Sequence, residues 1–319
     1  MRHDWSPLRS SRCGLLVFAV ACAADAKPVA VQPAVDPARM NQEHEGMVLV
    51  PAGEFRMGSG PDEVWVNQDE GPQRVVNLPA FFIDQLEVTN RQYKQFIDAT
   101  GWPAPPSWVK ALYPENADFL PVRSVTWWDA TAYARWAKKR LPTEAEWEKA
   151  ARGTDGRRYP WGDEFAADFA NNDRDLLPAG AKAAGSSPYG ALDMAGNVAE
   201  WTASAYDLYP RPDAALPREF GGSVTPAASV PRDASVLPAQ ASRVLPGRAK
   251  VKDKDKRLMF FTLEELADDR PRVHRGGSYN NYAKFLRCAS RGHEIPGARW
   301  PNIGFRCAMD APAVGDPTK

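Results

Sequence analysis

The chain has 319 residues, 44% apolar and 25% charged, enough to bury a substantial core in one large domain or two small ones. Forty acidic side chains balance forty basic ones, so no global field draws the protein to nucleic acid or to an anionic membrane surface. Eleven Trp with 23 Gly and 29 Pro point to a loop-rich domain rather than a helical bundle.

The first element is a targeting segment. Arg2, Arg9 and Arg12 precede the apolar run Cys13–Ala24, which has the length of a secretory leader's core. It is shorter than the ~20 residues a membrane-spanning helix needs. Ala24–Ala26 fits small-x-small cleavage and defines a leader over 1–26. Ala19–Cys22 instead resembles a lipobox that would place a lipid anchor on Cys22. Either route takes the chain out of the cytoplasm, to the periplasm or to a membrane-anchored lipoprotein, with no transmembrane span. A flexible tether over 27–45 then leads to a domain over 46–308 and a tail over 309–319.

Within the domain, Gly46–Ser59 alternates apolar residues around a Pro-Ala-Gly turn and predicts a strand hairpin. Arg74–Asn90 holds two more strand-like runs. Thr89 caps a helix with Tyr93, Phe96 and Ile97 on one face, stopped at Gly101. Thr126 opens a second helix with a buried stripe of Ala130, Tyr133, Ala134 and Ala137. Thr143 and Glu146 form a capping box on a third, which turns Trp147, Ala150 and Ala151 inward. Glu144, Glu146, Glu148 and Arg152 read as capping and surface pairing. Residues 210–269 are proline-rich and then Lys/Asp-rich, a mostly disordered insertion ending in the apolar Leu258–Leu266, which predicts a satellite cluster on the domain.

Several segments occur in one order: MVLVPAGEFRMGS, EVTNRQYKQFI, RLPTEAEWEKAARG, YPWGDEF, YGALDMAGNVAEWT, RGGSY and NIGFRCA. Together they resemble the formylglycine-generating enzymes, or sulfatase-modifying factors, from about Gly46 to Ala308 apart from the insertion. The resemblance implies an α+β fold, a variant of the C-type lectin fold with little regular secondary structure and bound calcium.

Family enzymes oxidise a substrate cysteine with oxygen, using Cu(I) held by two cysteines shortly after Gly-Gly-Ser-Tyr. A soft Cu(I) ion favours thiolates. In this chain the first of those positions falls at Asn281, and the second falls near Ala283 or is deleted. Copper is therefore not expected. Cys288 matches a structural cysteine; Cys288 and Cys307 are either a disulfide or two small buried apolar side chains.

Ser278 and Asn302 match pocket positions of the family; with Asn281 and His293 they are the pocket candidates. His274 and His293 with Glu294 would meet the count for an iron site, although they lack ligand spacing. By resemblance, Asp193 and Glu200 match calcium side-chain ligands, and Gly196 and Val198 match carbonyl donors, the oxygen mixture that Ca²⁺ takes. A second calcium site would begin at Asn171 and Asn172, but its distal half is missing. Two functions follow: an exported module that is not a formylglycine generator and binds a peptide or envelope partner, or an atypical metal-dependent oxidoreductase acting on a peptide or natural product.

Overall fold

A computed structural model describes residues 44–312, except 62, 65 and 210–255. The leader, Cys22, nearly all of the tether, residues 210–255 of the insertion and most of the tail lie outside the described residues.

Strands β1 (Met47–Val50) and β2 (Gly53–Met57) do form, but not as a hairpin. β1 pairs antiparallel with β4 (Phe81–Asp84), and β2 pairs antiparallel with β3 (Arg74–Leu78). Two chain segments thus run side by side through two sheets, Val50 opposite Phe81 and Gly53 opposite Leu78. Pro51 and Pro79 fall at the break, where neither has an N–H to offer a ladder. The Pro-Ala-Gly turn therefore hands the strand from one sheet to the next instead of reversing it. β9 (Ala308–Asp310) adds to the far side of β4, and all four residues of this central strand are buried.

The three expected helices are present, each with a complete capping box. Helix α1 (Asn90–Thr100) is capped by Thr89 and Gln92 and buries Tyr93, Phe96 and Ile97. Helix α2 (Trp127–Trp136) is capped by Thr126 and Asp129 and buries Ala130, Tyr133 and Ala134. Tyr93 and Tyr133 stack 5.7 Å apart between them, with Phe96, Trp102 and Phe305 around the pair. Ring pairs of this kind add about 0.5–1.5 kcal/mol each beyond the area they bury.

Helix α3 (Glu144–Arg152), capped by Thr143 and Glu146, turns Trp147, Ala150 and Ala151 into a second cluster with Phe81, Ile83, Met194 and Cys288. Its charged residues are not on the surface. Glu148 is buried and binds Arg152 at 2.7 Å, Arg275 still more closely, and the Gly58 amide at 2.7 Å. Glu144 holds Arg291 through both of its oxygens. Periodicity predicted one apolar face; tertiary packing covers the other face too, and paired charge satisfies it.

A third sheet has the order β7-β6-β5-β8, from β5 (Ala199–Ala205), β6 (Arg272–Arg275), β7 (Arg291–Glu294) and β8 (Ile303–Gly304). Only the β5–β8 pair is parallel. Between β5 and β6, helix α4 (Leu263–Ala267) follows Phe260 and Phe261. Phe261 is buried in the main aromatic core, with Phe260 and Leu266 packed against it. The expected satellite cluster is thus part of the principal core, and residues 256–269 belong to the domain. The sparse helices and short sheets are the α+β architecture expected.

Candidate functional site

The four-stranded sheet and its loops bring Gly276–Asn281 against Trp300–Asn302. Gly277 lies at φ 64°, and a Cβ there would sit 2.7 Å from the Phe285 carbonyl oxygen, so the turn before Ser278 accepts only glycine. Ser278 is buried, and its Oγ lies 2.7 Å from Asn280 Oδ1 and 2.7 Å from Asn281 Oδ1. Asn302 Nδ2 donates to Ser278 Oγ at 3.0 Å and to Asn280 Oδ1 at 3.3 Å. A hydroxyl has one proton, so Ser278 serves one of the two oxygens at a time. Asn280 Oδ1 also accepts from Asn302, so the hydroxyl proton can go to Asn281 Oδ1.

Three non-glycine residues in the left-handed region clamp this rim. Asn197 (φ 57°) accepts from Tyr279 N, Arg174 (φ 72°) donates to Tyr279 O, and Ser124 (φ 59°) donates to Trp300 O. Such conformations cost of order 1–3 kcal/mol and persist where surrounding structure imposes them, often at binding sites. Tyr282 and Trp300, close in the chain to Asn281 and Asn302 at the mouth of this cluster, are 76% and 47% exposed.

The structure brings Ser278, Asn281 and Asn302 together and leaves His293 out. His293 is on β7, stacked on Tyr206 at 3.7 Å. His274 packs edge-on against Trp201, and burial pushes its pKa down to about 4. His44 stacks on Phe82. His274 and His293 lie on paired strands, and the charge of His293 adds to the lowering at His274, but no group of three or more His, Cys, Asp or Glu among the described residues could hold a metal ion.

The donor set does not fit a dithiolate copper site. Asn281 is hydrogen-bonded to Ser278, and an amide does not replace a thiolate for Cu(I). Cys288 and Cys307 are both buried and free, packed in separate clusters, so the disulfide alternative is not formed. Burial pushes the Cys288 thiol up to about 12 and Cys307 well above its usual value.

The calcium positions fare differently from one another. Glu200 is engaged: its oxygens accept from Arg306 at 2.7 Å each, and Oε2 also from Trp147 Nε1 at 2.8 Å. A cation there would have to displace a buried guanidinium. Asp193 accepts from Gly180 N at 2.5 Å. Gly196 N donates to Gly276 O, and Val198 N donates to Glu87 Oε1 at 3.2 Å.

Glu87 and Arg306 are the residues sequence reasoning missed. Glu87 is raised well above the ordinary carboxylate range by burial, then by the charges of Asp193 and Glu200; Asp193 is raised by burial too. Three carboxylates face one guanidinium. Nearby, Asn171 Nδ2 bonds Asn197 Oδ1 at 2.9 Å while Asn171 Oδ1 is buried with no partner among the described residues. The available signal was Arg306 inside the otherwise apolar IGFRCA, and more weakly Glu87 between Leu86 and Val88.

This geometry can be set beside known proteins. Residues 32–311 match the family described as Sulfatase-modifying factor enzyme 1-like domain. The formylglycine-generating enzyme of Streptomyces coelicolor is 32% identical, over 92% of this chain and 97% of that one. The enzyme of the same name from Thermomonospora curvata is 30% identical, over 86% and 97%. Mouse inactive C-alpha-formylglycine-generating enzyme 2 is 36% identical over 50% of this chain and 69% of its own. Among solved structures, PvdO from Pseudomonas aeruginosa superposes with a TM-score of 0.56 at 23% identity, covering 83% of this chain and 94% of that one. Matched over most of its length in sequence and in fold, the chain belongs to the sulfatase-modifying-factor family of formylglycine-generating enzymes.

Proposed function

We propose that this family member does not generate formylglycine and instead binds a peptide or protein partner of the cell envelope at the Ser278–Asn302 mouth. The observation that carries this is the replacement of the reactive thiolate position by Asn281, tied into a polar cluster with Ser278, Asn280 and Asn302. Carboxamides offer paired donors and acceptors that match a peptide backbone, and exposed Trp and Tyr are the side chains that most often carry binding energy. The mouse relative whose name calls it inactive supports a use of this fold without the oxidation. The leader-like N-terminus supports an exported protein, periplasmic or anchored through Cys22.

Calcium belongs to the same proposal, at Asp193 and the carbonyls of Gly196 and Val198, with Glu200 left to Arg306. The unpartnered oxygen of Asn171 and the excess of buried carboxylate over guanidinium support a cation there. A ligand that binds only the native state raises stability by mass action, so chelation with EDTA should lower the melting temperature.

The test of the main proposal has two arms. A cysteine-containing sulfatase peptide incubated with the protein and copper should show no aldehyde by mass spectrometry; an aldehyde product refutes the proposal. A random peptide library should yield binders that lose at least tenfold in affinity to Trp300→Ala or Asn302→Leu; binders indifferent to both would place the interaction elsewhere. A metal-dependent oxidoreductase is the second reading, favoured by the retained Ser278–Asn302 hydrogen bond. One equivalent of copper or iron in the purified protein would support it.

A further inference from the structure

The arginines buried in this domain each have a carboxylate: Arg152 and Arg275 share Glu148, Arg272 has Asp268, Arg287 has Glu70, Arg291 has Glu144 and Arg306 has Glu200. Half-exposed Arg299 has Asp129 at 2.8 Å. Half-buried Arg123 has no such partner; half-buried Arg74 also lacks one but lies over the Tyr209 ring, whereas Arg123 has only neutral oxygens. Its NH1 donates to the Pro301 carbonyl at 2.9 Å and lies 3.3 Å from the Tyr279 hydroxyl, both neutral. No carboxylate among the described residues lies within ion-pair distance of it, and its Nε and second NH₂ have no acceptor there.

This guanidinium is held in place at the mouth. Its two anchors, Tyr279 and Pro301, are the chain neighbours of Ser278 and Asn302. The next residue, Ser124, is kept left-handed by a bond from its N–H to Trp300 O at 3.1 Å, while its own carbonyl accepts from Arg299 at 3.1 Å. The segment carrying Arg123 is therefore pinned to the segment carrying Trp300–Asn302 from both sides. A fixed cation with unused donors, facing solvent beside paired amides, suits an anion presented in a plane, which the guanidinium fork accepts through two parallel bonds.

We propose that Arg123 is a carboxylate subsite of the mouth, selecting peptides with Asp or Glu where it meets them, while Asn280 and Asn302 take the adjoining backbone. This rests on the peptide-binding function above and adds its specificity.

The full-length protein is titrated, with NMR detection, with acetyl-Gly-Asp-Gly-amide, its Asn counterpart, acetyl-Gly-Asn-Gly with a free C-terminus, and sodium acetate. The Asp peptide should bind at least fivefold more tightly than the Asn amide. Arg123→Gln should erase the difference, Arg123→Lys should keep part of it, and Arg56→Gln, at an exposed position of the β2–β3 sheet, should leave it unchanged. Preference for the free C-terminus over the Asp side chain would keep the carboxylate subsite and assign it to chain ends. Equal affinity for the Asp peptide and both Asn peptides, or an Asp preference that survives Arg123→Gln, overturns it. If no peptide binds but acetate shifts Arg123 and its neighbours in wild type alone, the subsite stands and the peptide-binding function fails. If acetate also produces no Arg123-dependent shift, the subsite is overturned.

Discussion

Glu148→Gln probes the buried charge network at its centre. The carboxylate accepts from Gly58 N at 2.7 Å and pairs with Arg152 and Arg275, all three side chains being essentially inaccessible. Glutamine keeps the shape and one acceptor for Gly58 but removes the charge and turns an NH₂ toward a guanidinium. Each arginine retains carbonyl acceptors: Arg275 has Ala289 O and Ser290 O at 2.8 Å, and Arg152 has Gly58 O at 2.8 Å. These, and Glu144 at 3.5 Å from Arg275, soften the loss, while Arg152 keeps no carboxylate within ion-pair distance among the described residues. Removing one partner of a buried pair costs about 3–5 kcal/mol, and in a domain of this size each kcal/mol moves the melting temperature by about 2–4 °C, giving a drop of roughly 10 °C. Calorimetry of the variant beside Arg91→Ala checks this. Arg91 pairs with Asp118 in the open, 53% and 36% exposed, and such a pair contributes within about 1 kcal/mol. Adding Arg275→Met to Glu148→Met should restore part of the loss, since one uncompensated charge fewer remains. Equal, small shifts for Glu148→Gln and Arg91→Ala would refute the buried network.

Phe261→Ala should cost about 3–5 kcal/mol by denaturant unfolding, as for any large core truncation; a loss below about 1 kcal/mol would return the segment to the periphery. Gly196→Ala should unfold or badly destabilise the domain, because the added Cβ would meet the Asn171 carbonyl oxygen at 2.2 Å at a φ of 102°; wild-type melting would contradict that close approach. His274 has a folded pKa near 4 against an ordinary 6.5, so the unfolded chain binds the proton first. The stability this contributes is complete above pH 6.5 and is lost as pH falls toward 4, by roughly 1–2 kcal/mol once the partial exposure of the ring is allowed for. A His274→Gln variant should flatten that part of the stability–pH curve, and an unchanged slope would show that another group titrates there.

Three helices, their caps and their apolar faces were legible in the sequence because those signals are local. Thr89, Thr126 and Thr143 sit three residues before the side chain that returns the bond, and Tyr93, Phe96 and Trp147 sit at helical spacing. The strands of Met47–Met57 and Arg74–Asp84 were legible for the same reason, as was the loss of the thiolate at Asn281. Pairing was not: whether β1 joins β2 or β4 depends on what stands across from Val50, and Phe81 is far away in sequence. Nor was the environment of a charge. Glu148 and Arg152 have the spacing of an exposed pair, and only the arrival of Arg275 from β6 and Gly58 from β2 makes them buried. Cys288 and Cys307 illustrate the same division: two cysteines allowed a disulfide, and packing put them in different clusters. Arg123 became a candidate only when its neighbours proved neutral, which no spacing along the chain records. Local hydrogen bonds and periodicity act within a turn or two, so the sequence alone determined the elements and the missing thiolates. Burial, strand partners and the charge around each ionisable group arise from residues far beyond a turn or two along the chain, and those only the tertiary structure decided.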